Sequence, residues 1–352
     1  MKHGSDQLSN ADVVASAVSI TSLEEIERLA HVHYGIVAQA RRLASERDEN
    51  FHLTASSGER FLLKISNAAE DPSVTDFQTQ AFRHVQKLDP TLPIPHLVMT
   101  RSEEFLQPVF LAQELRSLRL LRYLPGTPLH EAARSARQTA NLGSLLARLD
   151  LALQDFRHPA DGYQLRWDLT HAATLRPWLD LLEDPDRRAM ACECLDNFER
   201  YALPALPGLP WQVIHNDFQP SNVLVEPQDP DPVCGVIDFG DMVRAPRIND
   251  LAVAAAYHVA SSGSPLGFAP DMVRAFNRIC PLQEQEVEIL FDLIATRLLL
   301  TVVITNWRVS LHPANRDYIF RNAPAAWSGL ERCAVIGRAQ GCELLRQACS
   351  SE

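Results

Sequence analysis

The sequence predicts an α+β fold in two lobes, a β-rich N-lobe followed by a mainly helical C-lobe. Three observations carry that expectation. Runs with strand character recur through the first third of the 352 residues, and two of them, Asn50–Thr54 and Arg60–Ile65, are joined by a Gly-containing turn at Ser56–Gly58 in the manner of a β-hairpin. Helical periodicity then takes over, in the stretches 141–156, 189–201, 250–261, 272–279 and 284–303. Within that helical part, two polar signatures flank an apolar strand-like run, Val233–Ile237: His215-Asn216-Asp217-Phe218-Gln219-Pro220-Ser221-Asn222 comes first, and Asp238-Phe239-Gly240 follows sixteen residues after Asn222.

Each element has a local reason. Residues 1–20 read as a flexible extension. Ser22 with Glu25 three residues later forms a capping-box pattern, which starts a short helix through Ala30. Gly35–Ala38 reads as a first strand, and Ser45–Asn50 is a polar loop ahead of the hairpin. A helix is expected over Pro72–Leu88, where Phe77, Ala81, Val85 and Leu88 share one face. Ile94–Val98 and Leu118–Leu124 read as further strands, the second punctuated by Pro125-Gly126. The N-lobe therefore spans 21–122 and the C-lobe 123–352, with a hinge near Leu121–Gly126; Pro159–Tyr163 and Pro204–Pro210 are turn-rich connectors inside the second.

Composition narrows the function. A net charge of −11 argues against nucleic acid or an anionic membrane as partner. No apolar run approaches the roughly 20 residues of a membrane span; the longest, Leu298–Ile304, lies between Arg297 and Asn306 and reads as a buried helix. Met1–Asn10 lacks the apolar core of a secretory signal. Seven scattered cysteines, with no metal-ligand spacing, read as reduced thiols in a cytoplasmic protein.

The two signatures point to phosphoryl transfer. That chemistry needs an acid–base residue to orient the attacking hydroxyl, here Asp217, and oxygen ligands for Mg²⁺, here Asn222 and Asp238. Asp and Asn also favour plain turns, which accounts for one of these residues but not for all three at this spacing. His215 is expected to brace the loop by hydrogen bonds, since Asp217 already supplies the base. Lys64 falls in the third strand ahead of a helix, where it would bind the α- and β-phosphates of a nucleotide; the usual Glu partner on that helix is replaced by Gln78, with Asp76 two residues earlier. The loop Ser45–Asn50 lacks a G-x-G-x-x-G pattern, yet its backbone and the side chains of Ser45 and Asn50 can meet phosphate. Leu121 and Tyr123, at the hinge, complete the expected nucleotide contacts. Nine residues separate Gly240 from Asp250, too few to dock a polypeptide, so the acceptor is expected to be small. Asp250 is expected to cap the next helix and brace the catalytic loop.

These residues, taken with Arg122-Tyr123-Leu124-Pro125-Gly126, Ile237-Asp238-Phe239-Gly240-Asp241 and Asn249-Asp250-Leu251-Ala252, resemble the aminoglycoside phosphotransferase and choline kinase superfamily, whose fold is protein-kinase-like. The likeness covers nearly the whole chain after residue 30 and points, within that superfamily, toward its hydroxylysine kinase branch. The resemblance implies a five-stranded N-lobe, ATP or GTP as donor, Mg²⁺, and an amine-bearing alcohol as acceptor: hydroxylysine first, with an aminoglycoside, choline, homoserine or ethanolamine as alternatives. A nucleotide-binding module without catalysis is the rival of a different class, supported by Gln78 alone. Acceptor contacts are expected from the helical part, at Trp167, Asp168, Tyr257, Trp307 and Arg308, because aromatic faces and a carboxylate suit an ammonium and an arginine suits a carboxylate.

Overall fold

The computed structural model describes residues 21–45, 48–260 and 263–350. The expected extension over 1–20, and Glu46, Arg47 and Ser261 within expected elements, lie outside the described residues. The chain divides into two compact units, the first running to Pro125 and including Arg157–Arg166, the second formed by Gly126–Phe156 and the chain from Trp167 onward.

In the first unit, helix α1 (Leu23–Leu29) starts where Ser22 accepts a hydrogen bond from the Glu25 amide at 3.2 Å. The helix widens through one further turn and closes at Gly35, whose φ of +72° is the left-handed conformation that glycine adopts without a Cβ penalty. Gly35–Ala38 is therefore not a strand: Gly35 is a helix cap and the first strand begins at Ala38.

Six strands form one antiparallel sheet: β1 (Ala38–Leu43), β2 (Glu49–Ala55), β3 (Arg60–Ile65), β4 (Leu97–Val98), β5 (Gln107–Leu111) and β6 (Glu114–Arg122), in the order β1-β2-β3-β6-β4 with β5 also paired to β6. The expected hairpin is β2–β3, with Asn50 opposite Lys64. Phe51, Leu53, Phe61, Leu63, Ile65, Leu118 and Leu120 bury one face of this sheet together with Ile26 and Leu29 of α1. Helix α2 (Pro72–Leu88) begins at Asp71, which accepts from the Ser73 amide at 2.9 Å, and buries Val74, Phe77, Ala81, Phe82 and Val85. Phe77 packs its ring on His158 and Tyr163, the turn-rich segment that joins this unit.

The second unit is helical around two small sheets. Helix α3 (Ala136–Leu153) starts at Ser135, and a 3₁₀ run over Leu169–Leu181 starts at Asp168. Helix α4 (Pro185–Asn197) follows. The sheets are β7 (Thr127–Pro128), β9 (Val223–Val225) and β10 (Val233–Val236), in the order β10-β9-β7, and β8 (Trp211–Ile214) paired with β11 (Val243–Pro246). Helices α5 (Ile248–Ala256), α6 (Ala269–Ile279), α7 (Glu284–Leu311), α8 (Arg316–Ile319), α9 (Ala323–Ile336) and α10 (Arg338–Ser350) complete it.

Of these, α7 is the longest at 28 residues and is buried along most of its length, so it carries apolar side chains all round. At Gly143 of α3, an added Cβ would collide with the Met272 carbonyl of α6, and only glycine allows these two helices to lie so close. No helix of the described residues is long and apolar enough to cross a membrane.

Candidate active site

Two connections between the small sheets present the motifs. The loop His215–Asn222 links β8 to β9, and Ile237–Met242 links β10 to β11; the two are tied together by the Ile237 amide, which donates to the Asn222 carbonyl at 2.8 Å. Because β8 pairs with β11 and β9 with β10, both connections are held at both ends. Asn216 (φ +63°) and Asp238 (φ +61°) occupy the left-handed region, which costs free energy in a non-glycine residue and concentrates at functional turns.

Asp250 sets the catalytic loop from behind. It is fully buried in the first turn of α5, and its two carboxylate oxygens accept the backbone amides of His215 and Asn216, each at 2.8 Å. The residue before α5 is Arg247, so Asp250 does not cap the helix; its carboxylate is drawn to the loop instead. Behind it lies Asp150 of α3, also fully buried, its two carboxyl oxygens without a hydrogen-bond partner and the Asp250 charge close by. Burial first, then the neighbouring Asp250 charge, pushes the Asp150 carboxyl well above the usual range. His215 is buried beside Phe239, ring centroids 4.6 Å apart. Burial lowers its pKa, and the neutral ring accepts the Asp217 amide at Nδ1 and donates from Nε2 to the Ile237 carbonyl, both at 3.2 Å.

Asp217 stands at the front of this scaffold. Its Oδ2 accepts from the Asn222 side chain at 2.6 Å and from Gln219 at 2.9 Å, while Oδ1 receives a single longer bond, 3.2 Å, from Nη2 of Arg297 on α7. Burial, then the charges of Asp241 and Asp238, with Arg297 opposing them, push the Asp217 carboxyl up to about 8. A surplus of negative charge beside Asp217 is what a divalent cation relieves. The donors suit magnesium: the Asn222 amide nitrogen is committed to Asp217, which leaves its carbonyl oxygen as the hard ligand, and Asp238 is exposed. Among the described residues no three His, Cys, Asp or Glu side chains form a protein-only metal cage; an ion that draws most of its shell from phosphate and water needs none.

In the first unit, Nζ of Lys64 pairs with Asp48 at 3.4 Å, and the Asn50 side chain donates to Ser45 Oγ at 3.1 Å across the polar loop. Gln78 accepts from Arg119 at 2.7 Å, and Asp76 holds His158 and Gln80. Leu121 is buried within β6, while Tyr123 is half-buried, its ring edge-on to His52 at 4.6 Å.

The expected acceptor residues separate into groups. Trp167 and Tyr257 share Arg297 with Asp217, the guanidinium lying 5.0 and 5.9 Å from their ring centroids. Asp168 is 2% exposed and accepts the Thr170 amide at 2.9 Å, as the cap of the 3₁₀ run. Trp307 stacks on Trp178, centroids 4.6 Å apart and planes 6° from parallel. Trp307 and Arg308 sit ten and eleven residues beyond Arg297 on α7, about 15 Å along a helix rising ~1.5 Å per residue, a span longer than a small amino-alcohol. Asp241 and Arg297 complete the group around Asp217. Arg297 was legible only as a lone charge at the edge of a long apolar run, and such a buried charge must be paired.

Comparison with known proteins identifies the family. Residues 39–282 match the phosphotransferase enzyme family. The chain is 28% identical over 318 residues to a hydroxylysine kinase of Danio rerio, covering 87% of this chain and 89% of that one. It is 24% identical over 348 residues to the Mus musculus hydroxylysine kinase, covering 92% of each. Among solved structures, a microcompartment-associated aminopropanol kinase superposes with a TM-score of 0.70 at 19% identity, over 91% of this chain and 99% of that one. Amicoumacin kinase hAmiN, in complex with AMP-PNP, Ca²⁺ and Ami, superposes with a TM-score of 0.63 at 14% identity, over 86% and 93%. A β-rich first unit, a helical second unit and both signatures in their expected loops make the fold protein-kinase-like, and the chain is a member of the phosphotransferase enzyme family, a kinase acting on small-molecule hydroxyl groups.

Proposed function

We propose that this kinase transfers the γ-phosphate of ATP or GTP, as its Mg²⁺ complex, to the hydroxyl of an amino-alcohol, and that hydroxylysine is the acceptor. The observation that carries the reading is the carboxylate of Asp217, fixed by Asn222, Gln219 and Arg297 and standing beside Asp238 and Asp241. Asp217 accepts the acceptor's proton and aims its oxygen at the phosphorus. Asn222 and Asp238 hold the metal, which when bound neutralises charge on the phosphates. Lys64 contacts the α- and β-phosphates, and Ser45, Asn50, Leu121 and Tyr123 belong to the nucleotide contacts. His215 and Asp250 keep the loop in register.

Hydroxylysine is favoured over the other amino-alcohols by the curated relatives, which match this chain over most of its length. The short connection Asp241–Asn249 leaves little chain on which a polypeptide acceptor could dock, which favours a small one. Seven free cysteines fit a reducing cytoplasm. A panel of hydroxylysine, homoserine, ethanolamine, choline, aminopropanol and an aminoglycoside, assayed by coupled nucleotide consumption with ATP and with GTP, tests the proposal. The highest kcat/KM is expected for hydroxylysine; a higher value for another acceptor replaces the substrate, and turnover of none of them overturns the reading.

A further inference from the structure

Arg297 is 2% exposed, and a guanidinium taken so far from water costs several kcal/mol unless it is compensated. Its compensation is concentrated on the reacting end of the site. Nη2 donates to Asp217 Oδ1 and to the Tyr257 hydroxyl, both at 3.2 Å, Nη1 donates to the Trp167 carbonyl at 3.4 Å, and the rings of Trp167 and Tyr257 offer their faces to the cation. Nε is buried without a hydrogen-bond partner, so the residue is held by these few contacts.

The two oxygens of Asp217 are unequal. Oδ2 carries two short bonds, from Asn222 and Gln219, whereas Oδ1 carries only the long bond from Arg297. A carboxylate oxygen accepts about two hydrogen bonds in its plane, which leaves Oδ1 as the atom with room for an acceptor hydroxyl.

We propose that Arg297 is a positioning residue for phosphoryl transfer: it pins the Oδ1 side of Asp217 against rotation, so that one lone pair of Oδ1 keeps facing the acceptor hydroxyl. Without it, the carboxylate is held only through Oδ2, by Asn222 and Gln219, against the charges of Asp238 and Asp241, and partial rotation about the Cβ–Cγ bond turns the Oδ1 lone pair away from the acceptor hydroxyl. Trp167 and Tyr257 then serve the acceptor indirectly, by seating Arg297 rather than by receiving the acceptor's ammonium on the faces that Arg297 covers.

This inference rests on Asp217 being the base, so Asp217→Asn is the reference variant. Arg297→Ala, Arg297→Lys and Tyr257→Phe are compared with it and with the wild type for kcat, for KM of nucleotide and acceptor, and for thermal melting. Arg297→Ala is expected to lose kcat on the order of 100-fold, the scale of a misplaced reacting group, with nucleotide KM within about twofold. Arg297→Lys should recover part of kcat, millimolar guanidinium chloride should raise kcat of Arg297→Ala but not of the wild type, and Tyr257→Phe should lower kcat without changing nucleotide KM.

The inference is overturned if Arg297→Ala keeps near wild-type kcat while Asp217→Asn is inactive. It is also overturned if neither lysine nor guanidinium restores activity and both Arg297 variants melt early, because the residue is then purely structural. If Arg297→Ala does not fold, Arg297→Lys and Tyr257→Phe decide: an unchanged kcat in both refutes the role. Activity retained by Asp217→Asn refutes the reading of the base itself.

Discussion

Replacing Asp250 with asparagine tests how the catalytic loop is held. In the native protein both carboxylate oxygens of Asp250 accept a backbone amide, His215 and Asn216, at 2.8 Å and with no exposure to water. Asparagine keeps one acceptor and turns a second donor toward an amide that is itself a donor. Leaving one of these buried N–H groups without its acceptor costs about 1–3 kcal/mol, toward the upper end because the lost acceptor is a carboxylate. The expected loss is therefore about 2–3 kcal/mol, a large part of a total stability of about 5–15 kcal/mol. Asn216, held at φ +63°, loses the partner that stabilises this conformation, and Asp217 moves with it. Urea unfolding should show a lower midpoint at unchanged slope, and kcat should fall by on the order of 100-fold. Wild-type stability together with wild-type kcat would refute the idea that these two bonds place the loop.

Three further outcomes follow from the same packing. Asp150→Asn should be mild or stabilising, since it removes a buried acid that burial and the Asp250 charge both disfavour as a carboxylate while keeping its shape, whereas Asp150→Leu should lower melting temperature by changing that shape in a packed core; a strongly destabilised Asp150→Asn would contradict this account. His258 is fully buried, near Arg134 and Thr139, and burial pushes its pKa down to about 3. A base depressed in the folded state stabilises fully above its unfolded pKa, about 6.5, and loses that contribution as pH falls through the window from 6.5 to 3. At pH 5 the loss is about 2 kcal/mol, and His258→Gln should flatten this part of the stability–pH curve; an identical acid slope in both proteins would show that another group governs it. Gly143→Ala should cost about 1–3 kcal/mol in unfolding free energy through overpacking of α3 on α6, and a melting temperature equal to the wild type would show that these helices separate freely.

The chemistry was more legible in the sequence than the architecture around it. Asp217, Asn222 and Asp238 were readable because their spacing in a loop–strand–loop pattern is local, and β2, β3 and α2 were readable because period-two and 3.6-residue patterns declare themselves within one segment. What failed depended on distant partners. Asp250 looks like a helix cap in its own neighbourhood, yet its carboxylate is recruited by amides 34 and 35 residues away. Gly35–Ala38 has strand composition, but Gly35 is claimed by the helix before it. The strands β8, β9 and β11 are three or four residues long, too short to show a period. Arg297 carries no motif, and its meaning comes only from α7 passing beside Asp217.

The most direct test of the central claim compares Asp217→Asn with the wild type in a single-turnover phosphorylation of hydroxylysine, alongside calorimetry of Mg-nucleotide binding. Removing a general base costs about 10²–10⁴-fold, so the transfer rate is expected to fall by that factor or more while nucleotide affinity stays within about twofold. A variant that transfers phosphate at near the wild-type rate would contradict the account.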